Sequence, residues 1–115
     1  MVSETIEITP KDIFDLIALS GDAKASYHHA MLLMQEGKAE EAAEAVKAGD
    51  ATLKEAHAIQ TKFVTLEAQG KTATVGVLMV HAQDHLMNTI LVKEMLGYMM
   101  NMQNEINQLK GMDQK

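Results

Sequence analysis

The densest group of reactive side chains in this 115-residue chain is His81-Ala82-Gln83-Asp84-His85. At a helical step of about 100° per residue, position 84 lies about 60° behind position 81, and position 85 about 40° ahead of it. A helix through this segment therefore gathers His81, Asp84 and His85 on one face within about one turn. Three chemistries suit that face. The groups can satisfy one another at a subunit seam, where buried polar residues set register and oligomer state. Two His at i and i+4 can ligate one metal ion. This is not the metalloprotease pattern, which needs Glu directly after the first His where Ala82 stands. Two His and one Asp are also too few ligands without others from elsewhere. Third, a neutral imidazole at His81 keeps a lone pair that can attack phosphorus and form a phosphoramidate that transfers onward.

Other candidates carry less. His28 and His29 are adjacent, hence about 100° apart on a helix and poorly placed to share one small ion, so a surface or rim position is expected. His57, in Glu55-Ala56-His57-Ala58-Ile59-Gln60-Thr61, reads as a half-buried polar residue of a second helix. Gly70-Lys71-Thr72 ends like a phosphate-binding loop, but Thr65 stands where the earlier glycine is needed and no strand precedes it. The run Met99-Met100-Asn101-Met102 reads as adaptable packing.

Composition excludes several classes. All ten basic residues are Lys, and they face sixteen acidic ones, for a formal charge of −6. An acidic chain without Arg lacks the cationic surface that neutralises nucleic-acid phosphates, and the bidentate fork that clamps phosphate esters. With no Cys there is no disulfide, thiolate nucleophile or Cys-type zinc knuckle. Apolar runs such as Val77-Leu78-Met79-Val80 fall far short of the roughly 18 residues of a membrane span, and no stretch reads as a signal peptide. A cytoplasmic location is expected.

Three helices must position these groups. Thr9-Pro10-Lys11-Asp12 is a start signal, with Thr as cap, Pro at the first helical position and Asp at the positive end. Ile13, Leu16, Ile17, Ala23, Tyr27, Ala30, Met31 and Met34 then recur at mostly three- and four-residue steps up to a stop at Gly37, predicting a helix over about 9–36. Residues 1–8 read as a flexible arm, and 9–115 as one helical domain. A second helix is predicted over about 39–69, with Ala43, Val46, Leu53, Ala56, Ile59, Gln60, Phe63 and Leu66 inward and Gly70 as its stop. Gly49-Asp50 interrupts it at about 1 kcal/mol of propensity. The stripe resumes in phase beyond, so a continuous or slightly kinked helix is expected. The third helix, about 75–109, carries only Asp84, Lys93, Glu94 and Glu105 as charges, and seven of the ten Met lie between Met79 and Met112. Apolar residues cover more of its circumference than one core stripe needs. A second seam, Val77, His81, Asp84, Asn88, Leu91, Met95, Tyr98, Met102, follows a heptad step. The expected fold is an all-α, antiparallel up-down-up three-helix bundle that oligomerises through the third helix.

The block Val77-Leu78-Met79-Val80-His81-Ala82-Gln83-Asp84-His85-Leu86-Met87 resembles the signature of the enzyme IIA component of the lactose/cellobiose class of the bacterial phosphoenolpyruvate-dependent sugar phosphotransferase system. Ser20-Gly21-Asp22-Ala23-Lys24 and Glu55-Ala56-His57-Ala58-Ile59-Gln60-Thr61 resemble two further stretches of that family, in the same order. The resemblance implies a parallel homotrimer with the third helices innermost. It implies that His81 accepts a phosphoryl group as tele-phosphohistidine from the carrier protein HPr. The group then passes to a cysteine of the IIB component, while a β-linked disaccharide of the lactose, cellobiose or chitobiose class enters through the membrane IIC component. It implies that Asp84, shared by three subunits near the axis, holds a divalent cation, Mg2+. Gln83, His85 and His57 are candidates for supporting roles, each with a purely structural alternative. Asn88 stands where many members have Thr, and the tail after Met99 is unusually rich in Met, Gln and Asn. Two rival readings stay open on sequence alone: a noncatalytic helical interaction module and a metal-binding bundle.

Overall fold

The computed structural model describes residues 8–71 and 76–111, and the regular structure among them is three helices: α1 (Pro10–Gln35), α2 (Ala39–Ala68) and α3 (Val77–Leu109). The start of α1 is a capping box, in which the Asp12 backbone N–H donates to the Thr9 hydroxyl and the Thr9 N–H donates to the Asp12 carboxylate. Ile8, just before the cap, and Ile13, in the next turn, both pack against the core, as in a hydrophobic staple. Residues 1–7 of the expected arm lie outside the described residues.

Both predicted stops are real. Gly37 and Gly70 have φ of 79° and 70°, a region open to glycine at little cost. At each end two backbone bonds close a Schellman motif: Gly37 N–H to Met34 and Lys38 N–H to Leu33, then Gly70 N–H to Glu67 and Lys71 N–H to Leu66. The short connection after α1 folds α2 back antiparallel.

The first helix is the spine of the bundle. Leu16, Ala23, Tyr27 and Ala30 of α1 pack with Leu53, Ala56 and Phe63 of α2 and with Ala82, Leu86 and Leu96 of α3 in one core. Lys62 pairs with Asp12, and the Tyr27 hydroxyl donates to Asp50, so α2 runs antiparallel to α1. The Thr89 hydroxyl reaches the Ser20 carbonyl, and the Asn107 amide the Met34 carbonyl, so α3 runs parallel to α1. This is the up-down-up order expected. By contrast, α2 and α3 meet at few points, among them Gln60 with Gln83 and Asp50 with Lys93.

Two details of the predicted core change. The inward alanine near the start of α2 is Ala42, wholly buried beside Leu33 and Met34, whereas Ala43 is exposed. Neighbouring alanines are indistinguishable by hydropathy, and the turn sets the register. Ser20, absent from the predicted stripe, is also wholly buried. Its small side chain lets α1 and α3 approach, and its Oγ finds no partner among the described residues. The Gly49-Asp50 pair does not break α2. An added Cβ at Gly49 would stand 2.8 Å from Tyr27 Cε1, so glycine makes room for the buried Tyr27 ring.

Candidate functional site

The chemistry-bearing residues lie near the N-terminal end of α3. Gly76 caps this helix with no side-chain hydrogen bond, and no acidic residue stands in its first turn. Among the described residues no side chain caps the leading N–H groups of α3, and the helix dipole places partial positive charge there. His81 follows about one turn later, and side chains on a helix lean back toward its N-terminus.

His81 is exposed and His85 half-buried. Their Nε2 atoms are 3.1 Å apart, with ring centroids at 4.5 Å and ring planes at 88°. At that distance one proton lies between the two nitrogens, and the tautomers decide which ring donates. When the His81 proton is on Nδ1, its Nε2 lone pair accepts from His85 Nε2–H. The structure thus brings together the pair that the i,i+4 spacing predicts, in an edge-to-face arrangement that leaves His81 open to solvent.

Asp84 is exposed on the same side of α3, and the Asn88 amide lies 3.5 Å from its Oδ2. Among the described residues of one chain, no three His, Cys, Asp or Glu side chains converge to hold an ion. A hard cation takes several oxygen ligands, so beside a single Asp84 the rest of the set would have to come from waters or from other copies of the chain. Leu91, Met95, Tyr98 and Met102, on the heptad line through His81 and Asp84, are all exposed in the protomer, Tyr98 to 64%. The opposite face of α3, through Ala82, Leu86, Thr89 and Leu96, is buried against the bundle.

Gln83 and His57 sit elsewhere. Two residues on from His81, Gln83 points about 200° around the helix. Its Oε1 accepts from Gln60 Nε2 of α2 at 2.8 Å. His57 is exposed on α2 rather than half-buried, and its carbonyl accepts from the Thr61 hydroxyl. Within one chain, no hydrogen bond among the described residues joins either side chain to His81. His28 and His29 are exposed, as expected.

A polar node missed by sequence reasoning ties all three helices together. The Tyr27 hydroxyl of α1 donates to Asp50 Oδ1 of α2 at 2.6 Å, and Lys93 Nζ of α3 stands 3.1 Å from the same oxygen. Burial, and then the Asp50 carboxylate, push the Tyr27 phenol above its usual range. A glycine beside an acid in the middle of a strong helical pattern was the available signal.

Among the described residues no helix is long and apolar enough to cross a membrane. Residues 11–104 match the model of a protein family described as "PTS system, Lactose/Cellobiose specific IIA subunit". The lactose-specific EIIA component of Streptococcus mutans is 36% identical over 89 residues, which cover 77% of this chain and 86% of that protein. The lichenan-specific phosphotransferase enzyme IIA component of Bacillus subtilis is 35% identical over 99 residues, covering 86% and 90%. The crystal structure of the cellobiose-specific enzyme IIA of Bacillus anthracis superposes with a TM-score of 0.83 at 33% identity, covering 94% of this chain and 95% of that one.

Proposed function

The chain belongs to the lactose/cellobiose-specific IIA subunit family of the sugar phosphotransferase system, a phosphotransferase component, and from that premise we propose that His81 is its phosphoryl carrier. The observation carrying this reading is the solvent-open His81 ring with its Nε2 held 3.1 Å from His85 Nε2. The His81 Nε2 lone pair attacks the phosphorus carried by HPr, and an N–P bond forms as the donor's bond to phosphorus breaks. As the lone pair leaves the His85 hydrogen bond, the His85 N–H is free to donate to a phosphoryl oxygen. The first-turn amides of α3 supply the remaining positive potential. Such neutral and dipolar donors hold the group less tightly than an Arg fork would, which suits a carrier that must release it. A cysteine thiolate of the IIB component then attacks the same phosphorus, the N–P bond breaks, and His81 returns to neutral imidazole. The transported sugar is a β-linked disaccharide, and the protein acts in the cytoplasm.

Three protomers pack through the α3 seam into a parallel trimer, which covers Leu91, Met95, Tyr98 and Met102 and brings three Asp84 carboxylates to the axis. Bare carboxylates so placed repel. Mg2+ supplies the neutralising charge there when bound, with Asp84 of each protomer as its ligand. In this arrangement Gln83, fixed by Gln60, and the exposed His57 face the grooves between protomers as supporting residues.

The test is phosphorylation of the full chain with phosphoenolpyruvate, enzyme I and HPr, read by intact mass. The expected gain is one phosphoryl group, stable in alkali and lost in acid, and absent from His81→Ala, which stays trimeric. An alanine variant that still gains an acid-labile phosphoryl group refutes the assignment. Asp84→Leu is expected to abolish bound Mg2+ in the purified protein, and unchanged metal content refutes the axial site.

A further inference from the structure

Asp84 has one side-chain neighbour that the chemistry above leaves unused. Asn88, one turn further along α3, places its Nδ2 3.5 Å from Asp84 Oδ2, at the long limit of a hydrogen bond, and is itself exposed in the protomer. Both lie on the heptad line, whose later positions Leu91, Met95, Tyr98 and Met102 carry no charge. No cation is at hand to balance Asp84 from its own helix. The nearest, Lys93, is engaged by Asp50 at 3.1 Å, and the chain has no Arg.

We propose that Asn88 is a positioning residue for the Asp84 cluster, its carboxamide donating to the carboxylates and holding the trimer in register when no cation is bound. This rests on the trimeric reading above. A carboxamide has two N–H donors, enough for the protomer's own Asp84 and that of a neighbouring copy. A lone Asn on the seam of packed helices is also a known determinant of register and oligomer state, bought at some cost in stability.

The helices of this chain show why Thr at this position would act differently. Thr52 and Thr61 each turn their hydroxyl to the carbonyl four residues back, at 3.2 and 2.9 Å. A Thr at 88 has the Asp84 carbonyl to bond in that way, which removes its single donor from the carboxylates. Asn88→Thr therefore changes donor supply while keeping a small polar residue at an exposed site.

The experiment is sedimentation equilibrium of the full chain in excess EDTA and in excess MgCl2, with far-UV circular dichroism to confirm helix content. Wild type is expected to be trimeric in both. Asn88→Thr should match it in MgCl2, yet show a protomer–trimer dissociation constant at least about tenfold higher in EDTA. Asp84→Asn should remove the need for the donor, so Asp84→Asn/Asn88→Thr should match Asp84→Asn in EDTA. Equal dissociation of Asn88→Thr and wild type in EDTA overturns the proposal, as does an equal loss in both media, which marks a packing effect. Wild type that is trimeric in MgCl2 but dissociated in EDTA overturns it too, while leaving the assembly intact. Wild type monomeric in both media overturns the assembly reading itself.

Discussion

Gly49→Ala isolates a conflict between local and tertiary preference. Alanine is the better helix former by about 1 kcal/mol in a helix interior, so propensity alone predicts stabilisation. The added methyl, however, would lie 2.8 Å from Tyr27 Cε1, 3.0 Å from Cδ1 and 3.1 Å from Cζ. Those are atoms of a stiff ring in a wholly buried side chain, so the ring must shift bodily. Overpacking of this kind costs about 1–3 kcal/mol. Moving the ring also draws the hydroxyl off Asp50, a 2.6 Å bond to a carboxylate 42% exposed, for a further loss of roughly 1 kcal/mol after allowance for solvent screening. The balance is a net destabilisation of about 1–3 kcal/mol. Urea unfolding followed by circular dichroism, at one fixed protein concentration, should show the midpoint falling by about 1 M. In a Tyr27→Leu background the clash is gone, and the same substitution should stabilise by about the propensity difference. A Gly49→Ala protein more stable than wild type, with Tyr27 in place, would refute the reasoning.

Further outcomes follow from other contacts. The Asp12 carboxyl is held below its usual range by the Lys62 ammonium and then by the Thr9 N–H. A depressed value stabilises the fold above the unfolded value of 3.8, and that contribution is lost as pH falls through the lower folded value. Asp12→Asn should therefore cost about 1 kcal/mol near neutrality, with the gap to wild type closing below about pH 4 in urea midpoints taken across pH. Asn107 is wholly buried, donates to the Met34 carbonyl at 2.8 Å and accepts from Gln103 at 2.9 Å. Asn107→Leu should cost about 1–3 kcal/mol and speed amide hydrogen exchange over the last turns of α3, and unchanged exchange there would show that this bond does not anchor the helix.

The ends of the helices were legible because their signals are local. Thr9-Pro10-Lys11-Asp12 and the glycines at 37 and 70 act through backbone geometry within a few residues. The outward seam of α3 was legible because a heptad line of His81, Asp84, Leu91 and Met95 does not coincide with the line through Leu86 and Leu96 that meets α1. What escaped depends on partners distant in sequence. Ser20 is polar by composition but buried by its closeness to Thr89. Gly49 weakens its own helix in isolation, and its purpose is a ring 22 residues earlier. The engagement of Gln83 with Gln60 shows the same limit: a residue beside His81 in sequence belongs in space to the contact with α2.

The packing of both α2 and α3 chiefly on α1 also bears on the order in which the chain folds. Contacts between α1 and α2 are closed by a tight turn, whereas Thr89 to Ser20 and Asn107 to Met34 join residues 69 and 73 apart. Loop closure costs more entropy over the longer span, and nonlocal contacts form more slowly. The α1–α2 hairpin should thus be the folding nucleus, with α3 docking afterwards through Ala82, Leu86 and Leu96. Leu53→Ala should then chiefly slow refolding and Leu86→Ala chiefly speed unfolding, and the opposite partition in stopped-flow kinetics would reverse the order. On this route the helix that holds His81 and the exposed line through Leu91, Met95 and Tyr98 is the last to be secured, so completing the bundle and presenting those side chains on its surface become a single kinetic event.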